Sequence, residues 1–200
     1  PYGMSDQAAF PWRGRITSGA DMTAAASGDI DAFFGACSAA DFGVVAGDVI
    51  YNGPAEFSFR RFILHYAKLA EMAGGIDRFV IGSEMRGITT ARASAGVYPS
   101  VSILKALAAD VRSIVGAETG LTYAADWSEY FGHHTGGDVN FHLDPLWADP
   151  NIDAVGIDAY FPLSDWRDGE HLDGVVAAST YDPDYLSGNM EGGEGYDWYY

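Results

Sequence analysis

The stretch Phe79-Val80-Ile81-Gly82-Ser83-Glu84-Met85-Arg86-Gly87 decides how this chain is read. Three bulky apolar residues suit a buried strand, and the small Gly82-Ser83 pair ends it. A carboxylate follows at once, with an arginine two places on. A charge set directly at the end of a core strand asks for a reason, and two more strands end the same way. Leu121-Thr122-Tyr123-Ala124-Ala125 runs into Asp126-Trp127, and the strand from Ile152 to Ile157 runs into Asp158.

Between these strands lie helical patterns. Residues 55–73 carry Phe59, Phe62, Ile63, Tyr66, Ala67 and Ala70 at the spacing of one buried face, and Gly74-Gly75 stops the helix. A second helix runs from Val101 to Val115, with Ser100 as N-cap, Gly116 as stop and Leu104, Leu107, Ala108, Val111 and Ile114 on its apolar side. Upstream, residues 1–20 read as loop and Ala24 to Gly35 as a weaker helix. Phe42 to Tyr51 reads as extended chain with a bend, closed by Asn52-Gly53-Pro54. Residues 145–147 form a short helical stretch, and Glu191 to Asp197 a Gly-rich acidic loop.

Short, continuous apolar strands alternating with helices predict an α/β fold whose parallel strands are buried on both faces. In a (β/α)8 barrel all strand C-termini meet at one rim, where active sites sit. Glu84, Asp126 and Asp158 are therefore expected to converge, with Glu129 reaching the same mouth. Carboxylates gathered at such a rim suit glycosidic cleavage, in which one acid protonates the leaving oxygen and a second attacks the sugar or activates water. Trp127, Tyr160, Phe161 and Trp166 would offer stacking surfaces for sugar rings, and Arg86 would orient a carboxylate through a bidentate bond. Aspartate at a loop start is also an ordinary cap, so Asp126 and Asp158 are read first as caps and Glu84 as a carboxylate of catalytic descent.

Composition excludes several partners. With 28 acids against 11 bases the formal charge is −17, which repels nucleic acid and anionic membrane surfaces. No apolar run reaches the length of a membrane span. The single Cys37 forms no internal disulfide. His133, His134, Asp138 and His142 sit at a spacing that matches no metal-ligand pattern, so no metal and no cofactor are expected. His65 reads as a structural residue of its helix, Gly82-Ser83-Glu84 lacks the full nucleophile-elbow pattern, and the glycines at 192, 193 and 195 make no phosphate cradle. Pro1-Tyr2-Gly3-Met4 and Asp197-Trp198-Tyr199-Tyr200 both read as cuts, so residues 1–200 are expected to be one partial domain of a longer protein.

Longer motifs add a resemblance. Phe10-Pro11-Trp12-Arg13-Gly14-Arg15-Ile16-Thr17, Arg60-Arg61-Phe62-Ile63-Leu64-His65-Tyr66, the opening stretch, Leu121 through Tyr130, and Phe141 through Trp166 resemble the TIM-barrel-like domain of gene transfer agent and phage tail proteins, the host-specificity or tail-tip proteins. That family is similar in turn to retaining glycoside hydrolases built on TIM barrels. The resemblance implies that Glu84, at strand four, descends from the general acid/base, with Ser83 standing where those enzymes carry an asparagine. Asp126 then ends strand five and Asp158 strand six. The nucleophile at strand seven is expected beyond Tyr200 and the first strand before Pro1, which makes this a TIM-barrel-like fold lacking its first and last strands. The implied setting is the tail tip or baseplate of a virus-like particle made in the bacterial cytoplasm. The implied partners are other tail proteins and a cell-surface polysaccharide or peptidoglycan. Two functions remain open: a domain that acts on or binds envelope glycan through Glu84, Asp126, Trp127, Glu129, Asp158, Tyr160 and Arg86, or an inactive barrel kept as a structural or receptor-binding module.

Overall fold

The structure, a computed structural model, describes residues 12–160, 163–164, 166 and 168–190. The expectations for residues 1–11, for Phe161 and for the tail with its glycines at 192, 193 and 195 lie outside the described residues. The chain divides into two compact units, Pro1–Asp158 and Ala159–Tyr200.

The first unit opens with a 3-10 turn (Arg13–Arg15) and helix α1 (Ala24–Phe34). Strands β1 (Phe42–Val45) and β2 (Asp48–Tyr51) pair antiparallel, so the expected bend is a tight hairpin turning at Ala46-Gly47. Helix α2 (Phe59–Met72) is capped by Ser58, whose Oγ accepts from Arg61 N at 3.2 Å. It ends before Gly74 and Gly75, at φ 97° and 98°, a region glycine enters without steric cost. Strand β3 (Arg78–Ser83) leads through a single turn, α3 (Arg86–Thr89), to the long helix α4 (Pro99–Val115) and back to strand β4 (Gly120–Asp126). The turn α5 (Trp127–Tyr130), the hairpin β5 (His133–Thr135) and β6 (Asp138–Asn140), and the turn α6 (Asp144–Trp147) precede strand β7 (Gly156–Asp158).

The parallel sheet has the order β3-β4-β7. One of its faces packs against helices. Ile81, Leu121, Tyr123 and Ala125 join Leu64 and Ala67 of α2, Leu104, Leu107, Ala108 and Val111 of α4, and Ile30 and Phe34 of α1 in one core. Among the described residues the sheets do not close into a barrel, and the parallel sheet stands beside two antiparallel hairpins.

Four sequence expectations change. Among the described residues the strands are not covered on both faces: Val80 is 46% exposed, and Ile157 lies on an edge strand. The strand expected from Ile152 pairs only over Gly156–Asp158. Helix α4 starts at Pro99, whose missing N–H suits a first-turn position, and Ser100 is buried inside the helix instead of capping it. The buried face of α2 is rotated toward Arg60, Ile63, Leu64 and Ala67, leaving Phe62 and Tyr66 more than half exposed. Arg60 can sit inside because Nε donates to Cys37 O at 2.9 Å and its guanidinium pairs with Asp110.

The second unit carries α7 (Asp173–Val176) and α8 (Pro183–Asn189). Tyr185 ties it together: its hydroxyl meets Ser164 Oγ at 3.0 Å and bonds Asp173, and its ring faces Trp166. Asn189 Nδ2 donates to Leu163 O at 2.7 Å.

Candidate functional site

The C-terminal ends of the parallel strands meet, as their register requires: Ser83 pairs with Ala124, and Asp126 with Asp158. At Glu84 the chain turns sharply, with φ at +51°, a left-handed conformation that costs a non-glycine residue of the order of 1–2 kcal/mol. Two bonds to β4 hold it. Glu84 N donates to Ala124 O at 2.8 Å, and Met85 N donates to the Tyr123 hydroxyl at 2.8 Å. The left-handed residue thus has a backbone tether at its own amide and another at the next.

The Glu84 side chain is 6% exposed, and two donors from the N-terminal turn meet it. Trp12 Nε1 donates to Oε2 at 2.7 Å, and Arg13 Nη2 lies 3.3 Å from the same oxygen. Arg13 also donates through Nε to Ser83 O at 2.7 Å and through Nη2 to Ser83 Oγ at 2.9 Å. Ser83 Oγ then donates to Asp158 Oδ2 at 2.7 Å. Asp158, Ser83, Arg13, Glu84 and Trp12 therefore form one continuous polar string across the ends of β3 and β7.

Small residues let the N-terminal turn come so close. The Trp12 ring lies against Gly14, where an added Cβ would stand 2.3 Å from it. At Gly87 a Cβ would stand 2.5 Å from Ile16 O and 2.6 Å from Gly14 O. Thr17 Oγ1 donates to Gly87 O at 2.7 Å and locks the same approach.

Asp126 is 7% exposed and serves its own turn, with Oδ1 accepting from Ser128 N at 3.0 Å and from the Ser128 hydroxyl. The cap reading therefore describes Asp126, whereas Asp158 belongs to the polar string. Trp127 is 43% exposed beside it, edge-on to Phe131. Glu129 does not reach the mouth. It is 1% exposed, accepting from the Tyr123 hydroxyl at 2.9 and 3.1 Å, from Asp126 N at 3.2 Å and from the Thr89 hydroxyl. Burial pushes its carboxyl up to about 7 against the three donors that favour the charged form. His142, which faces Thr89 Oγ1 at 3.4 Å, is driven down to about 4 by burial.

Arg86 is exposed at the head of α3 and forms no ion pair with Glu84, because the left-handed turn carries the chain away from the carboxylate. The cation that Glu84 meets is Arg13. Tyr160, 73% exposed, and Trp166, packed on His171 at 4.5 Å between ring centroids, belong to the second unit. Trp12 and Arg13 are the site residues that pattern reading passed over. Both stand in the stretch Phe10 through Thr17 that carries the resemblance, where Trp12-Arg13-Gly14-Arg15 is a basic, aromatic cluster in a chain with few bases, but no role was read for them.

The arrangement presents acceptors and donors in alternation, which suits hydroxyl-rich ligands. Comparison with curated proteins yields no match. The match with a family model begins at Phe57, so that Glu84, Asp126 and Asp158 fall inside it and Trp12 and Arg13 before it. Over residues 57–200 that model is the GTA (gene transfer agent) TIM-barrel-like domain, and the chain belongs to this family.

Proposed function

We propose that this chain is a glycan-binding domain of a gene transfer agent particle, which contacts the bacterial envelope through the strand-end rim at Glu84. The observation that carries the reading is the string Asp158-Ser83-Arg13-Glu84-Trp12, set where parallel strands end and beside the exposed Trp127. Sugar hydroxyls both donate and accept, and such a string offers them both partners, while an indole face covers the apolar side of a ring. The formal charge of −17 favours neutral polymers over acidic ones.

Binding is preferred to hydrolysis on geometry. Glu84 Oε2 already accepts from an indole and lies in an ion pair with a guanidinium. Both of these partners occupy the oxygen, and retaining cleavage also asks for a second carboxyl about 5–5.5 Å away. A hydrolytic reading has one observation in its favour, the left-handed backbone of Glu84, since strain of this kind collects at active sites.

The test is titration of soluble peptidoglycan fragments and of neutral O-polysaccharide into the chain, with reducing ends measured in parallel. Binding that falls at least tenfold in Glu84→Gln and Trp127→Ala, without release of reducing ends, supports the reading. Release that Glu84→Gln abolishes would establish the hydrolase instead. Binding indifferent to both substitutions would remove the rim from consideration.

A further inference from the structure

We infer that Glu129 is a positioning residue for Glu84: through the Tyr123 hydroxyl it holds the Met85 amide, and with it the left-handed turn that aims the Glu84 carboxylate. A phenol has one hydrogen. Tyr123 directs it to Glu129, at 2.9 and 3.1 Å, which leaves an oxygen lone pair for Met85 N at 2.8 Å. The bonds run in series, so a charged acceptor at one end polarises the phenol and strengthens the bond at the other. All of it lies inside the protein: Glu129 is 1% exposed, Tyr123 0% and Met85 2%. Gly82 makes room for the phenol, since a Cβ there would stand 3.2 Å from the Tyr123 ring.

The turn therefore depends on the protonation of Glu129. When Glu129 binds a proton it loses its charge and keeps one carbonyl oxygen as acceptor, so it polarises the Tyr123 phenol less and the Met85 bond weakens. Burial places this change near pH 7. The groups facing the carboxyl are Thr89 of α3 and Tyr123 of β4, whose hydroxyls lower its affinity for the proton, and Asp126 from its own cap, whose amide lowers it while its side-chain charge raises it. His142 reaches it through Thr89, and Arg86 and Arg13 act on His142 and Tyr123 respectively.

The link to sugar binding rests on the proposed role of Glu84, but the positioning itself is read without any ligand. In the full chain labelled with nitrogen-15, the Met85 amide resonance is expected to move with a midpoint near pH 7. Its hydrogen-exchange protection should drop about tenfold in Tyr123→Phe, the worth of one lost hydrogen bond. Glu129→Gln should abolish the pH response. Should that variant unfold, Tyr123→Phe reads the same link, because its Met85 amide must also lose the response while Glu129 stays buried. A Met85 amide that is flat from pH 5 to 9, or that titrates unchanged in either variant, would overturn the inference. If Met85 follows Glu129 and soluble peptidoglycan fragments bind at no pH, the positioning stands and the glycan reading fails.

Discussion

Replacing Glu129 by glutamine should uncover a dependence of stability on pH that the native chain conceals. Glu129 titrates at about 7 in the folded protein, against an ordinary value of 4.5. Between those values the folded state keeps a proton that the unfolded state has released, so stability falls as pH rises. The 2.5-unit difference is worth about 3 kcal/mol. His142 works in the opposite sense. Its folded value of about 4 lies below the ordinary 6.5, so over that interval the unfolded state holds the extra proton and stability rises with pH, again by about 3 kcal/mol. His133, also lowered by burial, adds to the His142 side. The two slopes nearly cancel between pH 4.5 and 6.5. Glu129→Gln removes one of them, and the variant should gain about 2 kcal/mol across this range. His142→Asn should lose about as much. With a urea slope of about 2 kcal/mol per molar, each is a shift of about 1 M in the unfolding midpoint, opposite in sign. Glu56 stays clear of the window: the amides of Ala36 and Cys37 and the Ser58 hydroxyl hold it at about 2, so its contribution is lost only as pH falls below 4.5. Urea titrations at pH 4.5, 5.5 and 6.5 decide the matter, and a Glu129→Gln profile parallel to that of the native chain would refute the reasoning.

Substitutions at two further positions test the supports of the site and of the core. Gly87→Ala places a methyl group against two backbone carbonyls that cannot move independently, and should cost about 2 kcal/mol, or roughly 4–8 °C in Tm by calorimetry. In the same variant the Trp12 indole N–H resonance should leave its bonded position, because the turn carrying Trp12 and Arg13 is pushed off Glu84. Asp110→Ala leaves the buried Arg60 guanidinium without its carboxylate and should cost about 3 kcal/mol in urea unfolding, with Asp110→Asn losing less because it keeps an acceptor.

Local pattern carried part of the fold. Helices α2 and α4 and the strands ending at Glu84, Asp126 and Asp158 were legible because periodicity and glycine stops are properties of neighbouring residues. That Glu84 and Asp158 share a rim also followed from sequence, since parallel strands in register must end together. Pattern could not say which side of α2 faces inward: Phe62 and Tyr66 fit an apolar stripe, but Arg60 takes the buried place because Cys37 O and Asp110 satisfy it. Nor could it supply the surroundings of Glu84. Trp12 and Arg13 reach it only because Gly14 and Gly87 let distant backbones touch, and Glu129 is drawn inward only because Thr89 and Tyr123 bring their hydroxyls to it from other elements. The order of residues decided which carboxylates stand at the strand ends. Tertiary packing decided which of them meets a cation, which caps a turn and which is buried, because each outcome depends on donors that sequence distance does not bring together.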